Sequence, residues 1–255
     1  MLSSIEILIL SAIQGISEFL PISSAAHLVL VAKYYTFNNQ NLLIDICLHL
    51  GSLIAIIFYF RNDFYNFIKN RNFLIKILIG TLPIVPIGYI IYTTGLINHF
   101  RNLEIIGWAS LIFGILLYFS DKKKITKKID NEFSNSSALI VGLFQVLSLI
   151  PGVSRAGVTI TAGRLIGFNR TDSTKISFFL SIPTLGAASI LGVFNIYNEG
   201  SAELNFLAIT AIIFSSIFSY ITITLFFKYV KKFSLNLFVI YRIILSLFIL
   251  AVVYL

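Results

Sequence analysis

Charge is what this chain has least of. Asp, Glu, Lys and Arg make up 12% of its 255 residues, while 57% are hydrophobic; soluble domains carry about 25% charged residues. A water-soluble globule of this size has no use for so much apolar sequence, so an integral membrane protein is expected. Cysteine is nearly absent. The single Cys47 excludes an intramolecular disulfide framework and a multi-cysteine metal site. Basic residues outnumber acidic ones, 19 to 11, but they lie in connecting loops, where membrane orientation explains them better than a nucleic-acid partner does. The N-terminus Met1-Leu2-Ser3-Ser4 lacks a basic n-region, so no cleavable signal is expected. Proline is also scarce. The five are Pro21, Pro83, Pro86, Pro151 and Pro183, and two of them interrupt apolar runs together with polar residues.

Against that background stand long apolar segments. Six are long enough to cross a bilayer at about 20 residues per crossing, near 42–60, 73–93, 103–120, 175–197, 204–228 and 235–255. Two more regions, 5–35 and 137–168, are broken at Pro21 and at Pro151-Gly152. Their arms rise only ~20–24 Å as helix, short of the ~30 Å core. Each is predicted to be a re-entrant helix hairpin, buried by protein or lining a wet cavity. The expected fold is all-α, with about six transmembrane helices plus two re-entrant hairpins. Each unit of one hairpin and three spans crosses an odd number of times, which predicts an inverted repeat. The residues 1–255 form a single membrane domain, with pseudo-repeat halves 1–120 and 137–255 joined by a basic loop, 121–136. The stretch 121–132 is expected to be a flexible connector. Leu50-Gly51-Ser52 is echoed by Leu185-Gly186-Ala187 in the second half.

The breaks carry the chemistry. Gln14 and Glu18 are four apart and share a helix face. Ser23 or Ser24 suits an N-cap after Pro21, and Ser24 and His27 are three apart. Aligned on the two prolines, Ser24 falls opposite Ser154 and Ala25 opposite Arg155. In the second break Gly152 and Gly157 permit close backbone approach, Ser154 sits near a helix start, and Arg155 offers a fork for phosphate oxygens. Helix N-termini with hydroxyls form an anion seat. Ser24 supplies a nucleophile, His27 a proton carrier, and Glu18 with Gln14 hard oxygen ligands for a divalent cation. That set points to phosphoryl transfer, with Ser23, Ser154, Arg155, Gly152 and Gly157 as phosphate-binding candidates. Blander roles compete: Glu18 and Arg155 as a structural ion pair, His27 as a packed interior residue, Arg164 and Arg242 snorkelling at span ends. Asp45 and His49 share a face of the next span, as functional or structural groups, and His99 is expected to be incidental. A transporter is the main alternative class, since paired broken helices also serve carriers. A phosphatidic-acid-type phosphatase is disfavoured because no histidine follows Ser154-Arg155 at short range.

QGISEFLPISSAAH at 14–27 and PGVSRAGVTI at 151–160 resemble the two signature stretches of the undecaprenyl-diphosphatase family of the bacitracin-resistance type. LHLGSLIAI at 48–56, FFLSIPTLGAAS at 178–189 and IYR at 240–242 extend the similarity along the chain. The resemblance implies hydrolysis of undecaprenyl diphosphate to undecaprenyl phosphate and inorganic phosphate, recycling the carrier lipid of cell-wall synthesis and conferring bacitracin resistance. It implies Mg²⁺ or Ca²⁺ as cofactor, an isoprenyl diphosphate lipid and bilayer lipids as partners, no nucleic acid, and allows a homodimer. It also implies Ser24 as nucleophile, His27 as acid/base, Glu18 as the metal or catalytic carboxylate, and Arg155 as the diphosphate ligand. Gln14 stands where many members have Glu, which puts a two-carboxylate metal site in doubt. Ala25, Ala26 and Ala156 replace a small hydroxyl residue, glycine and serine, and remove no proposed catalytic atom.

Loop charge sets the expected orientation. Fourteen basic residues, among them Arg61, Lys69, Arg71, Lys76, Lys122–Lys124, Lys127, Lys128 and Lys228, fall on one side. Only Lys33 and Arg101 fall on the other, with Glu199 and Glu203. The basic side is predicted to be cytoplasmic, which puts both termini outside. In a background lacking Cys47, a cysteine at Asn98 should react with an impermeant thiol reagent applied to intact cells and one at Ile125 should not. The reverse labelling pattern overturns the orientation.

Overall fold

The computed structural model describes residues 4–34, 42–63, 71–100, 102–198 and 206–255. Lys69, Arg101, Glu199 and Glu203 lie outside them, as does the side chain of Lys33. The described residues are helical and contain no strand, only an isolated bridge between Lys127 and Phe168. In chain order the helices are α1 Ser4–Ser17, α2 Ser24–Tyr34, α3 Leu42–Tyr59, α4 Arg71–Thr81, α5 Ile84–Thr93, α6 Leu96–Phe100 and α7 Leu103–Asp121. They continue as α8 Ile129–Glu132, α9 Asn135–Val146, α10 Arg155–Leu165, α11 Arg170–Asn198, α12 Phe206–Val230 and α13 Asn236–Tyr254.

Among the described residues four stretches are long and apolar enough to span a membrane: 71–93 (α4 and α5, joined at Leu82-Pro83), α7, α12 and α13. The protein is an all-α membrane protein. Of the other two expected spans, 42–60 is α3 and 175–197 lies within α11, whose 29 residues rise ~43 Å. Both broken regions are helix–turn–helix pairs. Their arms of 14, 11, 12 and 11 residues rise only ~16–21 Å, so none crosses a ~30 Å core.

The helices pair in a two-fold pattern. α1 packs along α12 as α9 packs along α4 and α5; α3 meets α12 as α11 meets α4. On the axis of that relation, α3 meets α11 and α7 meets α13. Small residues bring the backbones together, the usual device between membrane helices. A Cβ on Gly15 would lie 2.6 Å from Phe218 Cβ, and one on Gly51 2.5 Å from the Ile212 carbonyl oxygen. Beside Gly51, Ser52 shares its hydroxyl with Ser215 and Ser219 at 3.3 and 3.0 Å. The echo at Gly186 does no such work, since nothing lies within 4 Å of its added Cβ.

The segment expected to flex between the halves is pinned. Thr126 and Lys127 donate their N–H groups to Gly167 O at 3.0 and 3.1 Å, and Ile129 N donates to Asp172 Oδ2. Phe133, after α8, is buried. Arg164 does not snorkel. It is 2% exposed, pairs with Asp121 at 3.3 Å, and donates to the carbonyls of Phe168, Asp121 and Lys123 at 2.7, 2.8 and 3.1 Å. Asp121 also accepts from Arg170 and from Leu235 N, so one carboxylate ties α7, α10, α11 and α13 at the lysine-rich end. The opposite end of α7 and α13 carries Trp108, whose Nε1–H donates to Tyr254 OH at 3.3 Å, an aromatic pair suited to the membrane interface.

Arg242 is the larger correction. It is fully buried, in the second turn of α13. Its three nitrogens donate to Ser110 O, Pro21 O and Gly152 O at 3.2, 3.4 and 2.9 Å. Pro21 and Gly152 each lie two residues before the N-cap of a hairpin's second arm, so one guanidinium clasps equivalent carbonyls from both tips. Arg242→Leu keeps an apolar bulk but leaves those carbonyls without a donor, at about 1–3 kcal/mol for each buried group. Thermal unfolding of the purified protein in detergent should show a fall of several degrees or more, with Arg242→Lys intermediate. Unchanged unfolding for Arg242→Leu would show that the clasp is not structural.

Candidate active site

Both tips end in the same local device. Ser23 and Ser154 are the only non-glycine residues with positive φ among the described residues, at 74° and 68°. Each caps the helix that follows. Ser23 Oγ accepts from Ala26 N at 3.4 Å, and Ser154 Oγ from Gly157 N at 3.1 Å. The structural equivalence therefore runs Ser23 to Ser154 and Ser24 to Arg155, one residue off the proline-anchored alignment. The two reacting groups occupy the same position, the first residue of α2 and of α10. A left-handed cap turns each first residue inward, and the two positive helix ends converge on one place.

The framework residues are engaged. Ser154 Oγ donates to Leu20 O at 3.5 Å, joining the hairpins. Gly152, at φ +98°, brings its backbone against Ile106, where a Cβ would lie 2.5 Å from the carbonyl oxygen. Gly157 leaves room for Arg242, whose guanidinium would be 2.7 Å from a Cβ there.

At the convergence, Arg155 Nη2 donates to Glu18 Oε1 at 2.9 Å, and Ser24 Oγ donates to Glu18 Oε2 at 3.0 Å. Gln14 Nε2 donates to Glu18 Oε2 at 3.1 Å and contacts His49 Nδ1 at 2.8 Å. Because an amide nitrogen only donates, His49 Nδ1 is the acceptor and its ring proton sits on Nε2. Thr159 supports the arginine from below. Its hydroxyl contacts Arg155 O and Ser177 Oγ, both at 2.7 Å, and Arg155 Nη1 donates to Ser177 O at 3.4 Å. A cavity of ≈ 140 Å³ opens on this cluster, lined by Gln14, Ser24, Ala25, Asp45, His49 and Pro151 among others.

Glu18, Ser24, Arg155 and Gln14 are thus brought together. His27 stands apart from Ser24. Its Nδ1 donates to Ser23 O at 2.7 Å, and its Nε2 meets Tyr241 OH at 2.6 Å, the two rings lying 5° from parallel. The hydroxyl of Ser24 points to Glu18, so the carboxylate, not the imidazole, is its hydrogen-bond partner. Three residues complete the arrangement: His49, which the sequence left open between function and structure, and Tyr241 and Arg242, which it did not place at the site. An arginine inside a 19-residue apolar helix was the available signal for the last, since charge at membrane depth is kept for a reason. Tyr241 precedes it and gave no signal of its own beyond the IYR stretch.

A divalent cation can be weighed against these donors. Among the described residues no group of three His, Cys, Asp or Glu is placed to hold a metal. Yet Gln14 Oε1 is buried with no hydrogen-bond partner among the described residues, beside the Glu18 carboxylate. A hard cation that keeps several waters and takes substrate phosphate oxygens needs only one or two protein oxygens. Glu18 and Gln14 fit that modest demand.

The comparisons agree along the whole chain. The family model described as "Bacitracin resistance protein BacA" matches residues 7–248. An undecaprenyl-diphosphatase of Pelagibacter ubique (strain HTCC1062) is 53% identical over 251 residues, covering 98% of this chain and 98% of that protein. Proteins of the same name from Campylobacter curvus (strain 525.92) and Jannaschia sp. (strain CCS1) are 37% identical over 262 residues and 33% over 266. They cover 96% and 99% of this chain, and are themselves covered over 97% and 100% of their lengths. Two capped breaks, a Glu–Arg pair drawn from both of them and similarity over nearly every residue lead to one assignment: this chain belongs to the BacA bacitracin-resistance family.

Proposed function

We infer that this protein hydrolyses undecaprenyl diphosphate to undecaprenyl phosphate and inorganic phosphate, so recycling the carrier lipid of cell-wall synthesis. Bacitracin resistance is the association of its family. The observation that carries the reading is the Ser24–Glu18–Arg155 chain of contacts, 3.0 and 2.9 Å, set between two helix N-termini at a membrane-buried break. A carrier needs no activated hydroxyl there; a phosphatase does.

Substrate binding exchanges partners. The terminal phosphate takes the Arg155 fork and the two helix ends, and Glu18, released from the arginine at Oε1, keeps Oε2 on Ser24. Ser24 Oγ attacks the terminal phosphorus as its proton passes to Glu18 Oε2. The bond from phosphorus to the bridging oxygen breaks, and undecaprenyl phosphate leaves. Water then cleaves the phosphoserine and restores the hydroxyl. His27, fixed by Ser23 O and Tyr241, does not touch Ser24 and is assigned the later proton transfer to the leaving undecaprenyl phosphate. Mg²⁺ or Ca²⁺, held by Glu18 and Gln14 Oε1, would neutralise phosphate charge. Ser23, Ser154, Gly152 and Gly157 serve the phosphate through the shape of the two caps. All these groups come from one chain, so a homodimer is not required to complete the site. The lysine-rich end faces the cytoplasm and both termini the outside, and the two halves enter the bilayer from opposite faces.

Purified protein given undecaprenyl diphosphate should release phosphate, and chelator should suppress the release. Ser24→Ala and Glu18→Gln should each lower turnover about 10²–10⁴-fold, and the double variant little further, because the two act as a unit. Arg155→Lys should be nearly as damaging as Arg155→Ala and should lower kcat as well as raise KM, since a point charge cannot hold two oxygens in fixed orientation. Near-full activity of Ser24→Ala would replace the serine by water as nucleophile. Lipid movement without phosphate release would return the carrier reading.

A further inference from the structure

A hairpin that stops halfway leaves the space beneath its tip to be filled. α1 lies against α12 at Gly15, whose neighbours are Phe218 and Ser219, and ends two residues later at Ser17. α12 runs on to Val230. The result is an open groove of ≈ 850 Å³ below Ile16 and Leu20, separate from the catalytic cavity and sharing no residue with it. Its wall is a continuous helical stripe on α12, from Phe218 through Ile221, Leu225 and Tyr229, closed by Phe233 and Phe238. At its far end stand Lys228, Lys231 and Lys232, all exposed. No carboxylate lines the groove among the described residues, and Asp121, on the neighbouring helix end, is buried and committed to Arg164 and Arg170.

We propose that this groove is a binding site for an anionic phospholipid of the leaflet that its lysine-rich end faces. The dimensions match one leaflet. From Thr222, which lines the groove with Leu20 of the hairpin tip, to the end of α12 at Val230 is eight residues, ~12 Å of helical rise, and the lysines just beyond it bring the trough close to half of a ~30 Å hydrocarbon core. The chemistry matches too: an apolar trough for acyl chain, and three ammonium groups at headgroup level with no acidic partner in the lining. A zwitterionic lipid fills the trough equally well but gains little from the lysines. A polyprenyl tail fits the trough, but its phosphate is held at the catalytic cavity, which leaves the lysines unanswered. The lipid completes the packing that the half-length hairpin cannot supply.

The test uses the full chain, purified and delipidated, titrated with phosphatidylglycerol or phosphatidylcholine of identical acyl chains and read by native mass spectrometry. Phosphatidylglycerol should bind at least tenfold more tightly. Lys228→Gln, Lys231→Gln and Lys232→Gln should each cost about fivefold, the value of one basic residue at a membrane surface, and leave phosphate release per folded protein unchanged. Leu225→Trp keeps the lysines and fills the trough; it should also lose the bound lipid. Equal binding of the two phospholipids overturns the proposal, as does full retention in the triple lysine variant. Displacement of phosphatidylglycerol by undecaprenyl phosphate, with a raised KM in Leu225→Trp, also overturns it and assigns the groove to the substrate's tail. Loss of phosphate release in Ser24→Ala bears on the catalytic reading alone.

Discussion

The structure depends on a solution to one problem: two helices are broken at membrane depth, and the backbone groups freed by each break must find partners inside the protein. Water is scarce there, and each unsatisfied group costs several kcal/mol. Ser23 and Ser154 take one N–H apiece, and Arg242 takes the carbonyls of Pro21 and Gly152 together. A guanidinium suits this better than any other side chain because it carries five donors in a rigid plane and accepts nothing. It also sets where the tips can be. With both carbonyls held by one planar group, the starts of α2 and α10 cannot drift apart, and the side chains of Ser24 and Arg155 are fixed relative to one another.

That constraint makes sense of the Glu18–Arg155 pair. A buried ion pair is a poor source of stability, because desolvation offsets most of its Coulomb attraction. Here the two partners come from different hairpins, and each also has other hydrogen bonds, from Ser24 and Gln14 on the carboxylate and to Ser177 O on the arginine. The pair satisfies both charges before substrate arrives and yields to a diphosphate that offers the arginine more oxygens. A clasp that did not depend on Glu18 is what permits the exchange. Arg242 holds the tips whether or not Arg155 has changed partners.

Much of this was legible in the sequence, and the limits are instructive. Apolar runs and proline breaks identified the spans and the hairpins because bilayer thickness turns run length into topology. Glu18, Ser24 and Arg155 stood out because ionisable or reactive groups are rare in such runs. A register anchored on the two prolines is off by one residue. The backbone is governed by the capping serine with positive φ, and nothing in the letters separates Ser23 from Ser24. The pairing of Ser24 with His27 followed from spacing on an ideal helix, but Ser24 is the first residue of α2 and turns toward Glu18. For Arg164 and Arg242 snorkelling is the bland alternative that positions near span ends allow. Only the fold shows carbonyls waiting for them. The 121–132 stretch looked like a flexible lysine-rich connector because its anchors, Gly167 O and Asp172, lie about 40 residues away.

The two hairpins have the same architecture and unequal chemistry. Gln14 and Gln145 hold equivalent places, each fully buried. Gln14 bonds to Glu18 and His49, whereas neither end of the Gln145 amide has a partner among the described residues. Where the first hairpin has Glu18 the second has Leu149, and where the first has His27 the second has Val158. The second hairpin shares the serine cap and differs in its glycine turn at Gly152 and in one charge, Arg155, delivered at the position where the first hairpin presents its hydroxyl. A symmetric pair of tips would bring like groups together, two serines or two arginines. Substitution at that one equivalent position instead sets a nucleophile opposite a phosphate anchor, so the two-fold arrangement provides the convergence and the sequence difference between the halves provides the reaction.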